Sequence, residues 1–219
     1  MTQSEIEGRV DRRRRRTRER ILEAGLALAD ANGIDALSMR KLGQELGFEA
    51  MSLYRHVKNK DDVLGGILDL VLAEIESPAA PGAWDAAIRR SAVSVNEMLD
   101  RHGWAIDVLM SPRGIRPARL AFMNELLGRL RDAGFSADAT YTAYHALDAH
   151  IFGFALWLSS HSNVPPEVVE RLTREIRLDD YPHLAEHRDQ HLAEGPHQDV
   201  SAFEFGLDLI LDGLRKLRA

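Results

Sequence analysis

Apolar residues recur along this chain at intervals of three and four positions, which is the period of an α-helix, and no sustained alternation of the strand type is found. A wide apolar face covers residues 21–29, and Asn32-Gly33 ends it in the manner of a left-handed C-terminal cap. Ser38 is a good N-cap for a second, short helix that Gly47 ends.

A third short helix is predicted over about residues 49–56, and Asn59 caps a fourth with Asp62 near its positive end. The stretch from Ser77 to Gly82, with two prolines, is the clearest break in the chain. Beyond it the apolar period predicts helices over about 84–102, 104–110, 117–132, 137–160, 166–177, 183–193 and 201–217.

The predicted fold is therefore all-α, in three parts. Residues 1–16 are expected to form a disordered basic arm, and residues 17–76 a three-helix domain with a helix-turn-helix and a linking helix. Residues 77–219 are expected to form a larger helical domain that binds a small molecule and pairs two chains.

Charge is distributed unevenly between these parts. Residues 1–60 carry 13 Lys and Arg against 9 Asp and Glu, a net of +4, whereas the remainder carries 15 against 25, a net of −10. This asymmetry favours a basic end that meets a polyanion, nucleic acid above all. A frayed basic tail on an ordinary protein is the alternative.

Composition excludes several classes of protein. There is no cysteine, which excludes disulfides, thiolate metal sites and a cysteine nucleophile, and which suits a reducing cytoplasm. The arginine-rich N-terminus lacks the apolar core of a secretory signal, and the run Ile151–Leu158 is too short to span a membrane. We expect a cytoplasmic protein without a cofactor.

The strongest local signal lies in residues 37–64, LSMRKLGQELGFEAMSLYRHVKNKDDVL. Two short helices flank a tight glycine turn; Gly43 is small, and Phe48, Leu53 and Val57 are placed to pack beneath the helices. Because the major groove of DNA just admits one helix, the second short helix suits that groove. Leu53 is its inward position, so its neighbours are expected to face outward.

At these residues the chain resembles the TetR family of regulators. The resemblance is carried by "RILEAGLALADANGIDALSMRKLGQELG", by "LYRHVKNKDDVL" and by the C-terminal "FEFGLDLILDGL". It is dense over about residues 17–75, thin through the middle, and recognisable again over about 201–215, where it resembles the branch of the tetracycline repressors.

The resemblance implies a set of DNA contacts. It places Met39 and Arg40 near the DNA backbone or the groove edge. It places Glu49, Ala50, Met51, Ser52 and Arg55 against bases, and Tyr54, His56 and Lys60 against phosphates. Arg55 could fork onto a guanine, and Tyr54 and Lys60 are ordinary phosphate donors. Ala50 and Met51 offer only apolar contact. A hinge-packing role is the alternative for Tyr54.

The run Arg12 to Arg16 precedes this segment and will not pack in a core. We interpret it as an arm that enters the minor groove or follows the DNA backbone. A solvated tail with only nonspecific attraction is the alternative.

The last helix is apolar on two sides, and so it must bury both. One stripe comprises Phe203, Leu207, Ile210, Leu214 and Leu217, and the other comprises Phe205 and Leu209. A two-fold, four-helix interface with the helix over 137–160 follows, and the resemblance implies the same. The expected dimer residues are Phe152, Leu156, Phe205, Leu209 and Gly213. A buried helix pair in a monomer is the alternative.

Aromatic and polar residues mixed through the middle of the chain could line a mostly apolar ligand cavity. The candidates for contact with the effector are His102, Trp104, Leu109, Met110, Phe122, Met123, Leu126, Tyr144, His145, Asp148 and Trp157. Packed core is the alternative for each. Tetracycline-binding relatives hold a magnesium–drug complex with a histidine and a later glutamate. Here "IDVLMSPRGIRP" has no histidine, and "FALWLSSH" has Trp157 near the position where the glutamate would fall. A larger, apolar or aromatic effector is therefore favoured.

His183, His187 and His191 fall on one face if their segment is helical, with His197 nearby, but a solvated helix is favoured over a metal site. The chain is thus interpreted as a DNA-binding regulator, a repressor released from a palindromic operator by a small molecule. An enzyme built around His145 and Asp148 lacks a nucleophile–base–orienter set. An architectural DNA binder, indifferent to sequence, is the second rival.

Overall fold

The computed structural model describes residues 3–162, 168, 171, 180–187 and 199–218, and all regular structure in these ranges is helical, as predicted. The main helices are α1 (Gln3–Asn32), α2 (Met39–Leu46), α3 (Ala50–Leu53), α4 (Lys60–Leu72), α5 (Trp84–Arg101), α6 (Ala105–Leu109), α7 (Pro117–Asp132), α8 (Ala137–Ser162) and α9 (Asp199–Arg218). Single 3-10 turns occupy Ile34–Ala36 and Pro112–Gly114. Within the described ranges, no helix is both long and apolar enough to cross a membrane.

Two of the predicted helices fall on parts of the chain that are described only in part. The helix predicted over 183–193 is seen as a helical segment at 182–187, and the rest of it lies outside the described residues. The helix predicted over 166–177 lies outside them except at residues 168 and 171, which are both helical.

The chain divides into two compact units. The first comprises Met1–Ala80 and Ser94–Glu125, and the second comprises Pro81–Val93 and Leu126–Ala219. A single boundary near residue 77 would separate 94–125 from the N-terminal helices. In the structure they belong to one unit, and side chains of that segment also bond to α1 and α4.

In the first unit α1 packs on α4 through its apolar face. Two glycines permit the close approach: a Cβ at Gly25 would lie 3.1 Å from Val63, and one at Gly66 only 2.6 Å from Leu22. The large side chains around them are fully or almost fully buried, among them Ile21, Leu37, Leu42, Leu53, Ile67 and Leu68. These residues form the core that supports the helix-turn-helix.

The predicted helix caps are confirmed at three positions. The Ser38 side chain accepts a hydrogen bond from the Lys41 N–H, and the Asn59 side chain accepts one from the Asp62 N–H. Gly47 ends α2 in the left-handed conformation, with φ 67° and ψ 28°. At Gly33 the prediction is wrong in detail, since its φ of 76° is positive but its ψ of 163° is extended.

Residues 3–16, expected to be a disordered arm, are part of α1 in the structure. Arginine and glutamate are good helix formers, and pairs four residues apart add support along a helix. Arg15 and Glu19 form such a pair, with 3.1 Å between Nε and Oε1. The first helix therefore begins well before residue 21 and includes the arginine run at 12–16.

In the second unit α8 packs on α9. The imidazole of His150 on α8 stacks on Phe203 at 4.9 Å between centroids, and its Nε2 lies 2.9 Å from the Phe203 carbonyl oxygen. A Cβ at Gly206 would lie 2.5 Å from the same ring, so this glycine is required for the close approach. Gly206 thus serves a contact between two helices of the same chain.

The buried stripe of α9 differs from the predicted one. Phe203, Leu207 and Leu214 are buried as expected, together with Leu211. The inclusion of Ile210 and Leu217 is wrong, because Ile210 is only half-buried and Leu217 is exposed. Steps of four from Phe203 lead to Leu207 and Leu211, so the buried face is rotated slightly from the predicted one.

Charged pairs join the start of α5 to α9. Arg89 Nε lies 2.8 Å from Asp208 Oδ1, and Arg89 Nη2 lies 2.6 Å from Glu204 Oε2. Hydrogen bonds to Asp208 and, to a smaller extent, to Glu204 raise the pKa of Arg89. The hydrogen bond from Arg89 in turn lowers the pKa of Asp208. Arg215 makes a further pair with Asp85, with 2.7 Å between Nε and Oδ2. The second unit is therefore fastened by polar contacts as well as by its apolar core.

Candidate nucleic-acid interface

The turn between α2 and α3 is tight because it closes on a glycine. A Cβ at Gly43 would lie 2.8 Å from the Phe48 carbonyl oxygen and 3.3 Å from the Ala50 nitrogen, both of them backbone atoms. The Phe48 N–H donates to the Gly43 carbonyl oxygen at 2.8 Å. The backbones of the two helices thus meet at this residue. Phe48 was expected to be buried, but it is more than one-third exposed because it lies in the turn.

We expect Gly43→Ala to destabilise the protein by about 1–3 kcal/mol, since the added methyl group meets backbone that cannot move without opening the turn. The matched control is Gly128→Ala in α7, where a Cβ meets nothing within 4 Å. That change is expected to stabilise the helix by about 0.5–1 kcal/mol. Urea unfolding of both variants checks the prediction; equal effects of the two would contradict it.

The short helix α3 presents its outer face to solvent. Leu53 and, just beyond α3, Val57 are buried beneath it, while Met51 is 75% exposed and Tyr54 46% exposed. Arg55 is also exposed. The regular helix ends at Leu53, and a hydrogen-bonded turn continues it through His56. The regular helix is therefore shorter than the predicted one over about residues 49–56. The segment that was expected to face bases is therefore supported from beneath and exposed on its outer side.

The remaining candidates for base contact differ in their freedom. Arg40 and Glu49 are exposed, whereas Met39 and Ala50 are half-buried. The Ser52 hydroxyl donates to the Glu49 carbonyl oxygen at 2.7 Å, so it already has a partner within the helix. Its remaining capacity is that of an acceptor.

The candidates for phosphate contact flank the start of α4. Lys60 is exposed at the first position of α4, beside backbone N–H groups that favour an anion. His56 is half-buried, and its Nδ1 is buried with no hydrogen-bond partner among the described residues. For His56, Nε2 is therefore the ring nitrogen available to a phosphate.

The Asp62 carboxylate joins the start of α4 to α1, a contact that the sequence did not predict. It accepts the Lys58 N–H at 2.8 Å and a hydrogen bond from Arg18 Nη2, also at 2.8 Å. Arg18 lies on α1 just after the arginine run at 12–16, so this ion pair fixes the start of α4 against α1. The sequence predicted Asn59 as the cap and placed Asp62 near the positive end of α4, but the long-range partner of Asp62 carried no local signal.

Two of the expected effector contacts bond elsewhere within the first unit. The Trp104 Nε1–H donates to Asp30 Oδ1 at 2.7 Å, and His102 Nδ1 lies 2.8 Å from the same oxygen. His102 Nε2 lies 3.3 Å from Glu74 Oε1. Both rings are buried. These contacts favour a structural role, in which the rings tie the segment after α5 to α1 and to the end of α4.

The other expected effector contacts are distributed over both units. In the first unit Leu109 is buried, Met110 is exposed, and Phe122 and Met123 are half-buried. In the second unit Leu126 and Tyr144 are buried, Asp148 is half-buried, and His145 and Trp157 are exposed. On α8 the His145 ring lies 5.2 Å from that of Tyr144, whose hydroxyl donates to Asp148 Oδ1 at 3.2 Å.

The expected dimer residues form an exposed apolar face in the single chain. On α9, Phe205 is 67% exposed and Leu209 59% exposed, while a Cβ at Gly213 would meet nothing within 4 Å. On α8, Leu156 is 43% exposed and Phe152 is half-buried. Leu217 extends the α9 stripe by one more turn.

The described parts of the histidine-rich segment give no support to a metal site. His183 and His187 are exposed, while His191 and His197 lie outside the described residues. Among the residues that can be described, no group of three or more His, Cys, Asp or Glu side chains could hold a metal ion.

A helix-turn-helix with an exposed outer face is the arrangement of a DNA-binding regulator, and the chain also has a second helical unit. Comparison with known proteins agrees. Residues 21–67 match the family model described as bacterial regulatory proteins, tetR family, and residues 77–218 match the tetracyclin repressor-like C-terminal domain. The chain belongs to the TetR family of bacterial transcriptional regulators, and the prediction of a TetR-family transcriptional repressor is confirmed.

Individual relatives support this assignment. The chain is 31% identical over 217 residues to the HTH-type transcriptional repressor DrrR1 of Streptomyces coeruleorubidus, covering 93% of this chain and 78% of the relative. It is 33% identical to the class D tetracycline repressor protein of Escherichia coli, covering 72% and 79%. Among solved structures, ActR of Streptomyces coelicolor in complex with actinorhodin has a TM-score of 0.68 at 28% identity, covering 92% and 98%.

Proposed function

We propose that this protein binds a two-fold symmetric operator as a homodimer and represses transcription until a small-molecule effector releases it. The observation that carries the proposal is the outer face of α3. Met51 is exposed on α3, and Tyr54 and Arg55 are exposed in the turn that continues it, above a fully buried Leu53. A helix supported from beneath and free on its outer face fits the major groove.

In this proposal the residues divide by the part of DNA that they meet. Glu49, Ala50, Met51, Ser52 and Arg55 read base edges, with Met39 and Arg40 at the groove edge. Tyr54, His56 and Lys60 hold phosphates, and the arginine run at 12–16 adds further phosphate contacts. Phosphate contacts set the register, and Arg55 is the residue best suited to discriminate a guanine.

The proposed partner of the exposed α8 and α9 face is a second copy of the chain. We call the helix-turn-helix over residues 39–56 the reading head. One reading head makes few contacts with DNA, so specific binding needs two of them, at half-sites one helical turn apart. Leu156, Phe205, Leu209 and Leu217 expose apolar surface that a symmetric four-helix interface would bury. Gly213 leaves room for close approach of the partner helix.

The proposed effector is a small molecule of apolar or aromatic character. Six of the predicted effector contacts are not buried in the structure. Three are exposed, namely Met110, His145 and Trp157, and three are half-buried, namely Phe122, Met123 and Asp148. Relatives of this fold bind small molecules: ActR structures contain (S)-DNPA and actinorhodin. Coupling between effector and operator must be reciprocal, so operator DNA should weaken effector binding by the same factor.

Selection of bound duplexes from a random pool tests the proposed DNA reading. We expect enrichment of a roughly palindromic sequence, bound about 10³-fold or more tightly than a scrambled duplex at physiological salt. Fluorescence anisotropy measures both affinities, and adding tetracycline or actinorhodin as probes measures any release. Equal affinity for selected and scrambled duplexes would support a sequence-indifferent DNA binder instead.

A further inference from the structure

A half-buried arginine clamps the middle of α4 within the first unit. Arg116 Nε donates to Asp69 Oδ1 at 2.6 Å, and Arg116 Nη2 donates to Asp69 Oδ2. The arginine side chain is 29% exposed and the aspartate 42%. Such a two-pronged pair fixes orientation as well as distance. The hydrogen bonds to Asp69 raise the pKa of Arg116.

The clamp depends on a glycine one turn earlier in α4. A Cβ at Gly65 would lie 2.9 Å from Arg116 Cζ and closer still to Nη1. The guanidinium therefore rests against the α4 backbone at Gly65 while its nitrogens hold Asp69. The next residue, Gly66, faces Leu22 of α1. The two consecutive glycines thus let α4 be held closely from two directions, by α1 and by Arg116.

Arg116 is also part of the start of α7. Its carbonyl oxygen accepts the Leu120 N–H at 2.9 Å, which closes the first turn of α7. Phe122 and Met123, proposed effector contacts, follow within two further turns. At the other end of the clamp, α4 begins at Lys60, a proposed phosphate contact. The group that holds α4 is therefore attached to the first turn of α7.

From this geometry we infer that Arg116 is a positioning residue that couples the first turn of α7 to the DNA-reading head through Asp69. The inference rests on the proposed function and names the residue through which its regulation passes. The neighbouring pair of Arg113 and Asp61 is a poor candidate for the same role. Its atoms are 3.4 Å apart and both side chains are about two-thirds exposed, so it contributes little.

Three variants separate the clamp from the fold. Gly65→Ala keeps every charge, and alanine favours a helix over glycine. It pushes away only the flexible end of Arg116, so α4 should remain folded. Arg116→Gln removes the clamp directly. Arg113→Gln is its matched control, since it removes the same charge from the same segment but breaks only the exposed pair.

The test uses a selected operator duplex as the probe and hydrogen–deuterium exchange as the readout. In the unmodified protein, operator binding should slow amide exchange in residues 117–125 about 2- to 30-fold, the range expected for changes within a coupled network. Gly65→Ala and Arg116→Gln should lose that change at saturating operator, whereas Arg113→Gln should keep it. Circular dichroism checks that helical content is unchanged.

The outcomes are distinguishable. If the unmodified protein binds no duplex specifically, the proposed function fails. If it binds but exchange in 117–125 does not respond, or responds equally in the Gly65→Ala and Arg116→Gln variants, the proposed function stands and the coupling role of Arg116 is overturned.

Discussion

Replacing Leu209 by glutamate is expected to convert the protein to single chains and to weaken operator binding by about 10²–10⁴-fold, the advantage that linking two reading heads provides. Leu209 lies on the exposed stripe of α9 with Phe205 and Leu217. A carboxylate buried there would have no partner of opposite charge. It would also face the same carboxylate of the second chain across a two-fold axis. Sedimentation velocity at micromolar protein concentration measures the assembly, and anisotropy measures the affinity.

The matched control for this variant is Leu120→Glu. Leu120 is an exposed leucine of α7, outside the α8 and α9 face, so the same change in charge and shape should leave the assembly intact. A Leu209→Glu protein that remains a dimer with undiminished operator affinity would show that α9 does not form the interface.

Arg55→Ala is expected to weaken binding to the selected operator by about 1–3 kcal/mol and to relax preference at one base position. Arg55 is exposed beyond the end of α3, so the change should leave the fold stable. Lys60→Ala should instead weaken binding uniformly across sequences and lower the salt slope by about 1, because it removes a phosphate contact. Anisotropy titrations against single-base variants of the operator, at several salt concentrations, measure both effects.

Lys216→Ala is the control for a lost positive charge, since Lys216 is exposed on α9 in the second unit. It should change neither base preference nor the salt slope. A uniform loss of affinity in Arg55→Ala, with base preference intact, would mean that Arg55 holds the backbone and that another residue of α3 reads the sequence.

The local structure of the reading head could be predicted because its signals are local. Ser38 and Asn59 cap helices through hydrogen bonds three residues away, and Gly47 takes a left-handed conformation that glycine favours. Burial of Leu53 follows from its position between two polar neighbours. Each of these features depends on a few adjacent residues, which a single sequence displays.

The polar contacts that fasten α1 and α4 could not be predicted for the opposite reason. Arg116 and Asp69 are 47 residues apart, and His102 and Asp30 are 72 apart. Neither pair leaves a periodic trace in the chain. His102 and Trp104 were therefore assigned to ligand contact by their chemistry alone, whereas the structure gives their polar atoms to Asp30 and Glu74.

One available signal was overlooked. Two consecutive glycines at 65 and 66 are costly inside a helix and indicate close approach of other groups. In the structure Gly66 faces Leu22 and Gly65 faces Arg116. The glycine pair could have indicated a closely packed helix, although not the identity of its partners.

The central claim is that the exposed rod of α3 is presented twice, by a symmetric pair of chains, to successive major grooves. Native mass spectrometry of the complex with a selected duplex, compared with duplexes whose half-sites are moved apart by half a helical turn, tests it most directly. We predict two chains per selected duplex and loss of the complex when the half-sites move about 5 base pairs, since the heads then face opposite sides of the helix. One chain per duplex, or binding that ignores the spacing, would contradict the account.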